Sequence, residues 1–174
     1  MAVLEAVRKT VKEHAKQPFQ VGYRLSPEEA ENPGITMDDT LQFADVLATK
    51  ELDYLHVSVQ SFWAGSIRNP QDKKSRVKLV QERGGHRVPV IGVGSLHTPD
   101  DALQALQTGV SLVALGREII MEPDWVEKVK SAKENQIRVT LSRDDQAELV
   151  IPDPSWQAIV NSPGWFPLVE RQAK

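Results

Sequence analysis

"VPVIGVGSLHTPDDALQALQTGVSLVALGREII", residues 88–120, decides the fold class. It holds two short apolar runs, Val88–Ile91 and Ser111–Leu115, and each runs into glycine. Between them Thr98 stands as a helix cap, with Pro99 at the first helical position and an amphipathic stretch behind it. The pattern is strand, helix, strand. Two neighbouring strands that both end in bare backbone, the second followed at once by Arg117, point to one shared anionic group, above all a phosphate. Gly94 and Ser95 let backbone N–H groups approach an anion unhindered. Gly116 and Arg117 read as the start of a short helix whose N-terminal amides face it, and Arg117 adds charge or lies along a bound ring. Each glycine singly is also ordinary turn chemistry; the combination favours the anion.

Working outward, the same unit recurs. Residues 2–16 place Val3, Leu4, Val7, Val11 and Ala15 on one helical face, and Gln17-Pro18 ends that helix. "FQVGYRLS" (19–26) reads as a buried strand, and "DDTLQFADVLATK" as a helix capped by Thr36 or Asp38. "LDYLHVSV" (52–59) reads as a second strand, followed by a polar-aromatic loop and a helix over 71–83. Strands therefore start near 19, 53, 88 and 111 with a helix between each pair, which predicts parallel strands with right-handed crossovers. Further helices are expected near 125–135 and 142–149, and Pro152, Pro154, Pro163 and Pro167 confine the rest to short pieces. The whole of 1–174 reads as one domain, with βα units over 1–135 and a helical tail over 136–174.

Composition narrows the function classes. The 174 residues are 40% hydrophobic and 26% charged, with a net charge of −3 and no cysteine. That excludes disulfides, thiolate nucleophiles and cysteine-ligated metal sites, and gives no general attraction to nucleic acid or to anionic membranes. No apolar run of about 18 residues exists to span a bilayer, and the acid-bearing N-terminus is no secretory signal. A cytoplasmic protein is expected. The dinucleotide fingerprint fails because His97 stands where its third glycine belongs, and the P-loop fails for want of a second glycine and a lysine.

The stretches "FQVGYRLSPEEAENPGI", "LDYLHVSV", "VPVIGVGSLHTPDDALQAL", "SLVALGREIIMEPDW" and "SPGWFP" together resemble the Old Yellow Enzyme family, in particular its bacterial NADH:flavin oxidoreductase members. They run through nearly the entire chain in the family's order. The resemblance implies strands five to eight of the family's barrel, so that the fold is the C-terminal half of a (β/α)8 TIM barrel with a C-terminal helical tail. It also implies FMN as cofactor and NADH or NADPH as reductant in the complete enzyme.

By that resemblance Arg24 contacts the N1/O2 edge of the flavin, where negative charge develops on reduction. An ion pair with a barrel-mouth carboxylate is the bland alternative for an arginine in an apolar strand, where an unpaired buried charge is costly. Gly94 and Ser95 carry over as backbone donors to the flavin phosphate, Gly116 and Arg117 as the other half of the cradle, and Val93 as a backbone contact. His56 and His97 read as structural or site-lining residues, and Asp100 and Asp101 as first-turn acids complementing a helix dipole. "QDKKSR" reads as a solvated helix start. Phe62 and Trp63 suggest a lid wall or local packing, and Trp156, Trp165 and Phe166 tack the tail onto the barrel. No catalytic constellation and no metal cluster stands out. Two readings follow. One is the FMN-binding portion of an NAD(P)H-dependent flavin oxidoreductase, ene-reductase-like and inactive alone. The other is a non-catalytic phosphate-binding or scaffold half-barrel. Either way the open strand edges at 19–26 and 111–115, and an inner face assigned to Val21, Val57, Ile91 and Val113, predict a homodimer or pairing with a missing N-terminal half.

Overall fold

The computed structural model describes residues 1–169. Its centre is a four-stranded parallel sheet in the order β1 (Gly22–Leu25), β2 (Tyr54–Val57), β3 (Val90–Val93) and β4 (Leu112–Ala114). Helices α2 (Met37–Leu47), α3 (Arg76–Gly84) and α4 (Pro99–Leu106) form the crossovers, and α1 (Ala2–His14) precedes the sheet. The predicted alternation and strand order are what the fold shows. α2 begins where the sequence says a helix can: Thr36 and Asp39 form a reciprocal capping box, which satisfies two otherwise orphaned amides.

Register assigns the two faces of the sheet. Leu25, Val57 and Gly92 align with Val113, and Tyr23, Leu55 and Val90 lie on that same face. Leu55, Val57 and Val90 are fully buried, each contributing about 1.5–3 kcal/mol by burial. Alternation puts Arg24, His56, Ile91 and Leu112, aligned across the four strands, on the opposite face. None of these four is buried, and Leu112 is 53% exposed. The inner face assigned from sequence is therefore corrected. Val57 and Val113 point the other way, because a one-residue shift of register moves a side chain to the other face.

Other boundaries differ from the expectation. β1 is four residues long rather than eight; Phe19 is 64% exposed and only Leu25 of the strand is buried. On α1 only Leu4 is buried, so the helix's apolar stripe is mostly open. α3 starts at Arg76, not at 71, because Ser75 caps it by accepting the Lys78 amide, and "QDKK" lies in the preceding loop. Ser75 and Arg76 are buried rather than solvated.

By contact the chain divides into two compact units, Met1–Leu96 with Ala102–Ala114, and His97–Asp101 with Leu115 onward. The division falls after Ala114, not at 135 where the sequence reading ends the βα units. The second unit contains α5 (Arg117–Met121), α6 (Trp125–Lys130), a 3-10 turn at Glu134–Gln136, α7 (Asp153–Val160) and a two-stranded parallel sheet. That sheet pairs β5 (Leu141–Ser142) with β6 (Leu168–Val169) and has no counterpart in the sequence reading. The helix expected at 142–149 is absent; residues 143–150 are turns. Met121, Leu141, Trp156, Ile159 and Phe166 form this unit's core, while Trp165 is half exposed. The last five residues of the proposed tail, 170–174, lie outside the described residues. No helix among the described residues is long and apolar enough to cross a membrane.

Candidate functional site

The candidate residues of the first unit sit at the C-terminal ends of its strands. Arg24 is the third residue of β1 and is exposed, so the desolvation argument drawn from its apolar strand does not apply. Its Nη2 donates to Ser58 Oγ at 2.9 Å, just beyond the end of β2. No carboxylate pairs with Arg24 among the described residues, so the ion-pair alternative finds no support. Its register partner is His56, half-buried, whose Nε2 is buried without a hydrogen bond among the described residues. Burial, and then the neighbouring Arg24 charge, hold the His56 pKa below its usual value.

Val93 ends β3 opposite Ala114 of β4. Gly94 follows with φ +118°, a conformation that L side chains rarely adopt. A Cβ there would lie 2.8–2.9 Å from the Val59 carbonyl oxygen, Gln60 C and Phe62 N. The fold itself therefore demands glycine at 94, and the Phe62 amide donates to the Gly94 carbonyl at 2.8 Å. Gly92 also serves packing: a Cβ would stand 2.3 Å from the Phe62 ring. Phe62 is fully buried, so it is core, whereas Trp63 is 42% exposed. Ser95, at φ +48°, donates its hydroxyl to the Gln60 carbonyl and is itself exposed.

The loops after β1 and β2 are fastened by residues the sequence reading passed over. Buried Glu28 accepts from Ser66 Oγ at 2.7 Å and from the Ile67 amide at 2.6 Å. Arg68 reaches back to the carbonyls of Glu29, Glu31 and Gly34. Both charged residues lie in stretches that read simply as polar loop. The available signal was an acid in one loop and a basic residue in the next, too common to single out.

In the second unit, Gly116 is the cap of α5, exposed, and a Cβ added there meets nothing within 4 Å. Unlike Gly94, it is not required by crowding. No side chain caps the first turn of α5, so its leading amides are not taken by a capping residue. Arg117 is half-buried and donates from Nη1 to the Trp165 carbonyl at 2.9 Å. His97 Nδ1 lies 2.7 Å from Oε1 of buried Glu118. Asp101 accepts from the amides of Thr98 and His97, and these bonds hold its carboxyl below the usual range. That acid is a helix cap, close to the role expected of it. Arg24, Val93, Gly94 and Ser95 thus share the first unit, while Gly116 and Arg117 belong to the second.

The model of the NADH:flavin oxidoreductase / NADH oxidase family matches residues 1–136. The chain belongs to that family. It is similar to the probable NADH-dependent flavin oxidoreductase YqiG of Bacillus subtilis, 47% identical over 96% of this chain and 45% of that protein. It is also similar to the NADH:acrylate oxidoreductase of Vibrio harveyi, 37% identical over 90% of this chain and 16% of that one. The NADH:fumarate oxidoreductase of Klebsiella pneumoniae is 34% identical over 90% of this chain and 17% of its own length. The chain therefore spans less than half the length of these relatives. Within the family, called Old Yellow Enzyme above, the parallel α/β sheet of residues 22–114 is the part that carries Arg24, Val93, Gly94 and Ser95.

Proposed function

We propose that this chain is the FMN-binding, C-terminal half-barrel of an NADH-dependent flavin oxidoreductase. The observation that carries the proposal is the sheet. Four parallel strands present Arg24 on a face that is not buried, at the strand ends where parallel α/β folds place their ligands. Family membership over residues 1–136 supplies the cofactor class. The residues present fit a flavin: an arginine with no carboxylate partner among the described residues, an exposed Ser95, and open space beside Gly116.

When bound, FMN supplies the hydride chemistry, with NADH or NADPH as reductant in the complete enzyme; the protein contributes position and charge. Arg24, oriented by Ser58, holds a fixed positive charge toward the flavin edge that becomes negative on reduction. In the first unit the backbone groups of Val93, Gly94 and Ser95 are assigned to the phosphate; in the second, Gly116 and Arg117 are candidates for an anion, with the Arg117 guanidinium adding charge. The βα units end at Ala114 and the tail begins at Leu115, in a cytoplasmic protein. With half a barrel, the chain alone shows little or no NAD(P)H-dependent reduction of an activated enone, because donor, flavin and acceptor must be held together.

The open face and the β1 and β4 edges are where a second copy, or an N-terminal half-barrel, pairs. Light scattering at low micromolar concentration should show a dimer or a complex with that half. A stable monomer that stays folded and unaltered when the half is supplied refutes the pairing.

FMN titration tests the function. The chain, alone or with an N-terminal half-barrel from the family, should turn yellow with one FMN per chain, and Arg117→Ala should weaken binding by about 1–3 kcal/mol. A colourless protein in both settings that binds inorganic phosphate overturns the flavin reading in favour of the scaffold one.

A further inference from the structure

The second unit contains a cavity of about 400 Å³, within the size range of small-molecule sites. Its walls are largely apolar, with Met121 from α5 and Phe166 from the tail among them. Two of its lining residues carry hydrogen-bond donors with no acceptor among the described residues. Trp125 is only 6% exposed, and its indole Nε1 is buried without a partner among the described residues. Arg138 Nη1 is in the same position. Folded proteins rarely leave buried donors empty, and two on the wall of one cavity call for an acceptor from outside.

The neighbouring charges narrow what that acceptor is. Arg138 is held from other directions: its Nη2 pairs with Glu148, and its amide donates to Glu122 at 3.0 Å. The guanidinium is therefore anchored with its Nη1 N–H groups left over. Arg117 also lines the cavity and has committed Nη1 to the Trp165 carbonyl. The carboxylate in the lining is Glu118, and its Oε1 faces His97. Glu148 already meets the Arg138 charge, so the unfilled donors decide: an arginine N–H and an indole N–H from residues lining one cavity suit the two oxygens of a carboxylate.

We propose that this cavity binds a small monocarboxylate bearing a ring or short chain. Its oxygens accept from Trp125 Nε1–H and Arg138 Nη1–H, and its apolar part lies along Met121 and Phe166. Its two donors are not among the proposed phosphate contacts, although Arg117 belongs to both linings, and the proposal does not rest on the flavin reading.

Benzoate is the probe, followed by the indole N–H cross-peaks of the ¹⁵N-labelled full chain, with Trp125→Phe identifying the Trp125 signal. The Trp125 peak should move saturably with a Kd of about 1 mM or below, while that of Trp63 stays still. Arg138→Gln should weaken binding about tenfold or more, Arg138→Lys should restore it only in part, and benzamide should bind at least about tenfold more weakly than benzoate. Comparing the cross-peak pattern of each variant with the parent keeps misfolding apart from lost binding; should Arg138→Gln misfold, the benzamide comparison decides. No saturable movement of the Trp125 peak overturns the proposal. So does a shift that survives in well-folded Arg138→Gln, or one abolished by Arg117→Gln alone, which would make the anion site that of Arg117.

Discussion

Replacing Gly94 with alanine should damage the fold before any ligand is considered. Two costs add at this position. A residue with a side chain at φ +118° is strained, at about 1–3 kcal/mol for a sparsely populated conformation. The new Cβ would also stand within 2.8–2.9 Å of three backbone atoms in residues 59–62. Unlike a flexible side-chain tip, that backbone is held by the Phe62–Gly94 hydrogen bond, so overpacking adds about 1–3 kcal/mol. The total of about 2–6 kcal/mol is a large share of a typical domain's stability of about 5–15 kcal/mol. Gly116→Ala is the matched control, because its Cβ meets nothing within 4 Å; as a cap change it should cost no more than about 1 kcal/mol. Urea unfolding of the FMN-free protein by far-UV circular dichroism, compared at equal m values, measures both. Under the proposed function, Gly116→Ala should instead act on FMN affinity, by crowding the approach of the phosphate. A Gly94→Ala protein within about 0.5 kcal/mol of wild type, the range of neutral surface changes, would refute the reasoning from φ and backbone contact.

Arg24→Ala should change stability by less than about 0.5 kcal/mol, since it removes one exposed contact with Ser58. It should raise the His56 pKa, yet leave it below the usual 6.5, because burial and not the arginine is the larger cause; a histidine titration by NMR that moved the other way would refute this. With its folded pKa depressed, His56 contributes stability that is fully present above 6.5 and lost as pH falls through the folded value, the unfolded chain binding the proton more tightly. His56→Gln should flatten that slope in unfolding measured against pH. In the second unit, burial alone would raise the Glu122 pKa, but hydrogen bonds from Lys128 and the Arg138 amide, with their charges, hold it below its usual 4.5. Its contribution is therefore present above 4.5 and lost as pH falls through the lowered folded value, and Glu122→Gln should cost about 1–3 kcal/mol at neutral pH. A Glu122→Gln chain with an unchanged acid slope would contradict that assignment.

Much of the strand–helix alternation was legible from local signals. Apolar runs ending in glycine mark β3 and β4, Thr36 and Thr98 mark helix starts, and Pro99 agrees with them; each depends on a few consecutive residues and survives in any packing context. The family was legible for a related reason, since several motifs recur in order along the chain. Tertiary structure decided what depends on partners distant in sequence. Register placed Arg24, His56, Ile91 and Leu112 together and turned Val57 and Val113 to the other face, and no periodicity within a four-residue strand settles that. The pairing of β5 with β6 joins residues 141–142 to 168–169, too short and too far apart to show as a pattern. Most instructive are Gly94 and Gly116. In sequence they are the same signal, a glycine at a strand end. In the fold one is compelled by the backbone of residues 59–62, while the other faces open space. Which atoms crowd a glycine depends on the chain that folds back against it, and that is a tertiary fact.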